Sequence, residues 1–287
     1  MQMVHSRFNA LLSACVLSLI ATAGWSQSIT WLGTLGGSES EAYGVSADGR
    51  VVVGRARNAA GQWRAFRWEN GVMQDLGTLG GGESEAYGVS ADGRVVVGVA
   101  ANAAGQRRAF RWTASSGRMV DLGTLPGYSE SYACAVSADG TVVVGWAYNA
   151  ANQYRAFRWE NGVMRDLGAP GNNWAYGVSA DGSVVVGTSV GAFRWTASGG
   201  MEDLNITYAR VLTSICASRL NEARAISPDG RYIVGWGYNA ATNREEAFLL
   251  DTTGRSPCTL DGDVNGDGIV DDADLLIVLF NFGNRCP

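Results

Sequence analysis

The residues best suited to chemistry lie near the C-terminus, where Asp263, Asn265, Asp267, Asp271 and Asp274 stand at positions one, three, five, nine and twelve of one loop. Gly268 occupies position six, where a sharp turn is needed, and Ile269 at position seven offers its backbone carbonyl. Calcium takes about six to eight hard oxygen ligands, and this spacing brings side-chain and carbonyl oxygens to one point. Ca2+ is therefore the expected cofactor, held by Asp263, Asn265, Asp267, Ile269, Asp271 and Asp274.

Charge separates this tail from the rest of the chain. The net charge is -5, and the last thirty residues alone, with six Asp and one Arg, carry -5. Arg7 adds one positive charge near the start, so residues 27–257 come to about -1. A near-neutral body with an acidic tail argues against a nucleic-acid partner and for a cation.

His5 and Arg7 precede an apolar run from Ala10 to Ala23 that ends in small residues, the layout of a signal peptide over residues 1–26 cleaved near Ala23 or Ser26. Cleavage removes the chain's one histidine, and the chain has no lysine. Ser-His-Asp triads, Cys-His pairs, histidine zinc sites and lysine Schiff bases are then excluded, and no catalytic residue is assigned. Carboxylate pairs remain, which keeps glycoside hydrolysis as the enzymatic alternative. The available acids are Glu39, Glu41, Glu83, Glu85, Glu130 and Glu222, expected on loops between blades. They recur at near-equivalent repeat positions, whereas an acid and a base need different surroundings. Four cysteines follow the signal segment and allow three pairings. Cys258 with Cys286 is preferred because the two bracket the acidic tail; Cys134 with Cys216 follows by elimination.

The body that carries this tail is a repeat. YGVSADGRVVVG at Tyr43 returns at Tyr87, Cys134, Tyr176 and Arg224 with small changes, and the marker serines Ser46, Ser90, Ser137, Ser179 and Ser227 are 44, 47, 42 and 48 residues apart. Such a period points to a solenoid or propeller. Each copy reads as a hairpin around Ala-Asp-Gly, followed by a valine run without polar alternation, hence a strand buried on both faces. An Ala-Phe-Arg-Trp strand follows at Ala65, Ala109, Ala156 and Ala192, degenerate at Ala247, and a fourth strand marked by Asp-Leu follows at Leu76, Leu122, Leu167 and Leu204. The fifth repeat lacks that last strand, while an unattached copy stands at Leu32. The expected fold is therefore all-β. It is a five-bladed β-propeller of four-stranded blades over residues 27–256, closed by an N-terminal strand at residues 29–34 in preference to a linear solenoid. A small C-terminal calcium loop-helix unit over residues 257–287 completes it.

Symmetry breaks at two places: the fourth repeat lacks the Asn-Ala-Ala-Gly-Gln loop, and residues 205–220 form an insertion with a short helix expected at 211–217. Trp63, Tyr128, Tyr148, Tyr154, Trp174 and Tyr238 lie in or beside the loops with Asn58, Asn102 and Asn149, a mixture suited to a protein or glycan ligand. The competing reading packs these aromatics between blades and leaves the asparagines as turn formers. Trp68, Trp112, Trp159 and Trp195 are expected in the core.

Through the DLGTLGG, GVSADG-x-VVVG and AFRW strings in that cyclic order, residues 30–250 resemble the HAF family of bacterial extracellular repeat proteins. That family is named for a His-Ala-Phe triplet, whose first position here holds Arg64, Arg108, Arg155, Gly191 and Glu246. The tail, with Asp274 at position twelve followed by Leu275, Leu276, Ile277, Val278, Leu279 and Phe280, is similar to one type I dockerin repeat, where dockerins normally carry two. The resemblances imply a secreted or cell-surface interaction module, monomeric, displayed or sorted through its tail by a cohesin-like or surface-anchoring partner. The alternative is a carbohydrate-active protein of a polysaccharide-degrading system.

Overall fold

The computed structural model describes residues 29–213 and 218–253. The expected signal peptide, the calcium ligands and Cys216, Cys258 and Cys286 lie outside these residues. The chain divides into Met1–Trp31 and Leu32–Pro287. Of the first unit, residues 29–31 are described and belong to no strand.

The second unit is a succession of antiparallel sheets, each a simple meander. The first holds β1 (Gly36–Val45), β2 (Val51–Asn58), β3 (Trp63–Glu69) and β4 (Val72–Asp75). The second holds β5 (Gly80–Val89), β6 (Val95–Asn102), β7 (Arg107–Thr113) and β8 (Arg118–Asp121), and the third β9 (Glu130–Val136), β10 (Val142–Tyr148), β11 (Tyr154–Glu160) and β12 (Val163–Asp166). The fourth holds β13 (Trp174–Val178), β14 (Val184–Thr188), β15 (Ala192–Thr196) and β16 (Gly200–Asp203). Helices α1 (Leu204–Thr207) and α2 (Ala209–Thr213) lead to a sheet of three strands, β17 (Arg219–Ile226), β18 (Tyr232–Asn239) and β19 (Arg244–Asp251). The insertion's helix thus begins earlier than the expected residue 211, because Asp203 caps it by accepting from the Asn205 N–H at 2.8 Å.

Each inner hairpin is locked by its own serine and aspartate. Ser90 is fully buried; its hydroxyl donates to Asp92 at 2.6 Å and accepts the Val95 N–H at 2.9 Å, while Asp92 also takes the Arg94 N–H. Gly93 then adopts a left-handed φ of 71°, which glycine tolerates without strain. The pattern repeats at Ser46, Ser137, Ser179 and Ser227.

Neighbouring sheets pack through four apolar cores. In each, outward valine and alanine of one sheet, such as Val53 and Ala65, meet Ala, Val and Phe of the next, such as Ala86, Val96 and Phe110. Trp112 is core as expected, and Trp159 and Trp195 pack half-buried against theirs. A ladder of backbone hydrogen bonds crosses the turns: Ala47 N–H to Ala91 O, Ala91 to Ala138, Ala138 to Ala180 and Ala180 to Pro228, at 2.9–3.1 Å. Arg67, Arg111 and Arg158 add a second link by donating to the carbonyls of Gly93, Gly140 and Gly182 in the following sheet.

The expected closure by an N-terminal strand is not formed. Residues 29–34 lie in no strand, and the fifth sheet keeps three strands among the described residues. The reason is that Leu-Gly-Thr-Leu is a connector, and the following Gly-Gly opens the next inner strand. At the end of the first sheet β4 stops at Asp75, and the connector to the second is fixed by Ser84, whose hydroxyl donates to Gly77 O at 2.6 Å. Ser40 donates to Gly33 O at 2.7 Å in the same way, so Leu32 and its neighbours lead into β1 without a strand before them. Consistently, a Cβ on Gly93, Gly140 or Gly182 would press on a valine of the preceding sheet at 2.4–2.5 Å, whereas one on Gly49 would meet nothing within 4 Å.

Candidate functional site

A β-bulge recurs at one place in every inner strand. Between Ala42 and Gly44 the register with β2 slips by one residue, leaving Tyr43 unpaired; Tyr87, Cys134, Tyr176 and Arg224 are left over in the same way. Bulges re-aim side chains and are common beside functional sites. The glycine that ends each Val-Val-Val-Gly makes room for the bulge. A Cβ on Gly98 would lie 2.0 Å from Glu85 O, and on Gly54, Gly145, Gly187 or Gly235 it would be 1.8–2.0 Å from the corresponding carbonyl.

The bulges hold a band of side chains that runs from sheet to sheet. On the first two sheets it is charged. Arg55 bridges Glu41 at 3.1 Å and Glu85 of the next sheet at 3.4 Å, and its guanidinium lies 4.2 Å from the Trp63 ring centroid. The Tyr43 hydroxyl donates to Glu41, and Tyr87 donates to Glu85 at 3.0 Å. The Tyr43 hydroxyl and then Arg55 hold the Glu41 carboxyl below its ordinary range. Burial, then the bond to Glu41, pushes the Tyr43 phenol up to about 12; burial and the Glu85 charge push Tyr87 upward too. On the third and fourth sheets the band is aromatic. Tyr132 stacks on Trp146 with centroids 3.9 Å apart; Tyr154 lies 5.6 Å from Trp146, 4.9 Å from Tyr148 and 5.1 Å from Trp174. All five rings are half-buried. On the fifth sheet the band is charged again: buried Glu222 binds Arg224 at 2.9 Å and accepts from the Trp236 Nε1 at 2.7 Å, and Arg224 lies 5.1 Å over Tyr176.

The band has one hollow, and the sequence explains it. Following Val-Val-Val-Gly, the repeats carry Arg55 and Arg57, Val99 and Ala101, Trp146 and Tyr148, Thr188, then Trp236 and Tyr238. Only small side chains stand on the second sheet, and there a cavity of about 260 Å³ opens between Glu83, Glu85, Val99 and Arg107. Arg107 faces Glu83 at 3.7 Å and Glu85 at 3.8 Å. The hollow is of the size that takes one sugar ring or one peptide side chain.

The structure sorts the expected residues. Tyr148, Tyr154 and Trp174 come together, and Trp63 sits under Arg55 and Arg57. Tyr128 packs into the core between the second and third sheets, and Tyr238 stands apart, bonded to Asn243. Asn58, Asn102 and Asn149 are turn formers; each side-chain oxygen accepts two backbone N–H groups of its own loop. The acids expected on loops belong to inner strands instead: Glu39 and Glu41 to β1, Glu83 and Glu85 to β5, Glu130 to β9 and Glu222 to β17. The hydrogen-bonded ladder there begins before the connector has ended. Cys134 is a free thiol, so its expected pairing with Cys216 is not made. It is the bulge residue of β9 at the position that Tyr87 and Tyr176 hold in the flanking sheets, and burial pushes its pKa up to about 12. Sequence reasoning missed Tyr132, Trp146 and the bulges; the one available signal was the variation of the two residues after Val-Val-Val-Gly.

No family model matches the chain, and no curated protein is similar to it in sequence. Solved structures are similar in fold. A putative TolB from Agrobacterium tumefaciens aligns with a TM-score of 0.52 at 17% identity, covering 76% of this chain and 79% of that one. A prolyl endopeptidase aligns at 0.50 and 12% identity, over 76% of this chain and 34% of that one. TolB from Acinetobacter baumannii aligns at 0.47 and 13% identity, and the chain spans about half of it, 52%. At these identities the likeness concerns the fold, and it places the chain among all-β proteins of the β-propeller type.

Proposed function

We propose that the protein is a secreted or cell-surface β-propeller interaction module that binds a protein or glycan ligand along the band of side chains that crosses its sheets beside the bulges. The observation that carries this reading is the continuity of the band. Half-buried aromatic rings and paired Arg and Glu side chains follow one another across the sheets, with the hollow at Val99 among them. Aromatic faces beside fixed polar groups suit sugars and peptide segments alike. Binding is favoured over glycoside hydrolysis because the acids of the band are engaged as acceptors of Arg, Tyr and Trp. Each described carboxylate whose pKa departs from its ordinary value moves down, such as Glu41, the opposite of what a general acid needs.

In this reading the HAF-like repeats form the ligand-binding body, and residues 257–287 bind Ca2+ through Asp263, Asn265, Asp267, Ile269, Asp271 and Asp274. The dockerin-like tail attaches or sorts the body by way of a cohesin-like or surface partner. Screening the full chain on glycan and protein arrays, with calcium and with a chelator, tests the reading. Capture of a discrete ligand class that is lost in Trp146→Ala supports it; substrate turnover abolished by changing one Glu would overturn it.

A further inference from the structure

The outer face of the fifth sheet is built like a joint but carries no sheet. At the four joints the outward residues Val53, Val97, Val144 and Val186, with Ala65, Ala109, Ala156 and Ala192, are fully buried. Their counterparts Val234 and Ala247 are exposed, Val234 at 40%, beside exposed Ala225 and Leu249 at 68%.

Three changes in the last repeat remove what a following blade would need. Pro228 replaces the alanine whose N–H donates across each joint, and proline has no N–H to give. Leu249 replaces the arginine that reaches the next turn's carbonyl in the first three sheets. Tyr232 replaces the valine that packs under the next turn's glycine, where a Cβ on that glycine would already be 2.4–2.5 Å from the valine. Another blade, whether the first one of this chain or that of a second copy, therefore finds no backbone donor at Pro228 and the larger Tyr232 where a valine is seated at the other joints, 2.4–2.5 Å from that Cβ at three and 3.5 Å at the fourth. Terminal repeats of stacked architectures are commonly altered in this manner to end the array. Yet the face stays apolar, and a partner other than a blade must cover it.

We infer that the cover is the chain's own C-terminal apolar run, Leu275, Leu276, Ile277, Val278, Leu279 and Phe280. The chain leaves this sheet at Asp251, two residues past Leu249. Residues 254–262, ahead of the calcium loop, extended at about 3.3 Å each, reach ~30 Å, about twice the width of three strands at about 4.8 Å spacing. An amphipathic segment laid on a sheet's open face is a common second layer. The inference is independent of the band's ligand.

Photo-crosslinking tests it in the full chain. p-Benzoylphenylalanine is placed at Leu249 and, in a second variant, at Val234, and each is irradiated as an equal mixture of 14N- and 15N-labelled protein. The expected result is a crosslink to the peptide holding residues 275–280 within a single isotopic species, lost in Leu276→Asp/Leu279→Asp. A crosslink to residues 42–52 of the same chain would mean ring closure, a mixed-isotope crosslink a second copy, and the absence of any crosslink a free face; each of these overturns the inference.

Discussion

The smallest unit of the structure is the hydroxyl of a buried serine held between an aspartate and a backbone N–H at each turn. Ser137→Ala leaves the Val142 N–H without its side-chain acceptor in a buried setting and is expected to cost about 1–3 kcal/mol in urea unfolding. A loss below a few tenths would contradict the role. The partner aspartates give a pH signature. Hydrogen bonds from Ser179, then from the Ser183 N–H and hydroxyl, lower the Asp181 pKa to about 2. A carboxyl lowered on folding stabilises the protein above its unfolded value of about 3.9, and that stability is lost as pH falls towards 2. Asp48, Asp92, Asp139 and Asp229 shift the same way, led by their serines. Denaturation followed between pH 5 and about 2 should therefore show falling stability, with a shallower fall in Asp181→Asn. These turn roles were legible because Ser, Asp and Gly are neighbours in sequence. The arginine of Ala-Phe-Arg-Trp was not, since its acceptor lies 24–29 residues further on in another sheet.

At the scale of the element, the inner hairpin and its bulge decide where the site faces. Gly98→Ala puts a methyl 2.0 Å from Glu85 O, so backbone must move; the expected cost is about 2 kcal/mol or more, with loss of the ladder near Tyr87 seen by amide exchange. A variant as stable as the parent would show that the bulge does not need this glycine. The joints can be weighed by one comparison. Gly140→Ala and Gly49→Ala both incur the left-handed strain of about 1–2 kcal/mol, at φ of 76° and 73°. Only the former also collides with Val95, so it should be clearly the less stable in thermal melts; equal melting would argue that the first turn is covered too. The repeat and its hairpins could be read directly from the valine runs and turn residues. The error over the connector was a matter of boundary: at Leu76 the Leu-Gly-Thr-Leu segment runs on directly from β4, and sequence alone does not separate a strand from the loop that follows it.

For the whole molecule, the copies supply the frame and the differences between copies supply the site. Five sheets were legible from periodicity, and Pro228, Tyr232 and Leu249 stand in the last repeat as visible departures. Pro228 removes a backbone donor and Tyr232 a fitting valine from one face, and Leu249 stands where the first three sheets carry an arginine donor. The band follows the same logic, since Arg55, Val99, Trp146, Thr188 and Trp236 occupy one repeat position and make it charged, hollow, aromatic, open and aromatic in turn. The most direct measurement of the central claim is a titration of an array-selected ligand against the parent chain and Ala101→Arg, which copies Arg57 into the hollow from a half-buried position in its wall. The account predicts affinity at least about tenfold weaker, roughly 1.4 kcal/mol, at an unchanged melting temperature. Undiminished affinity in Ala101→Arg, together with undiminished affinity in Trp146→Ala, would contradict it.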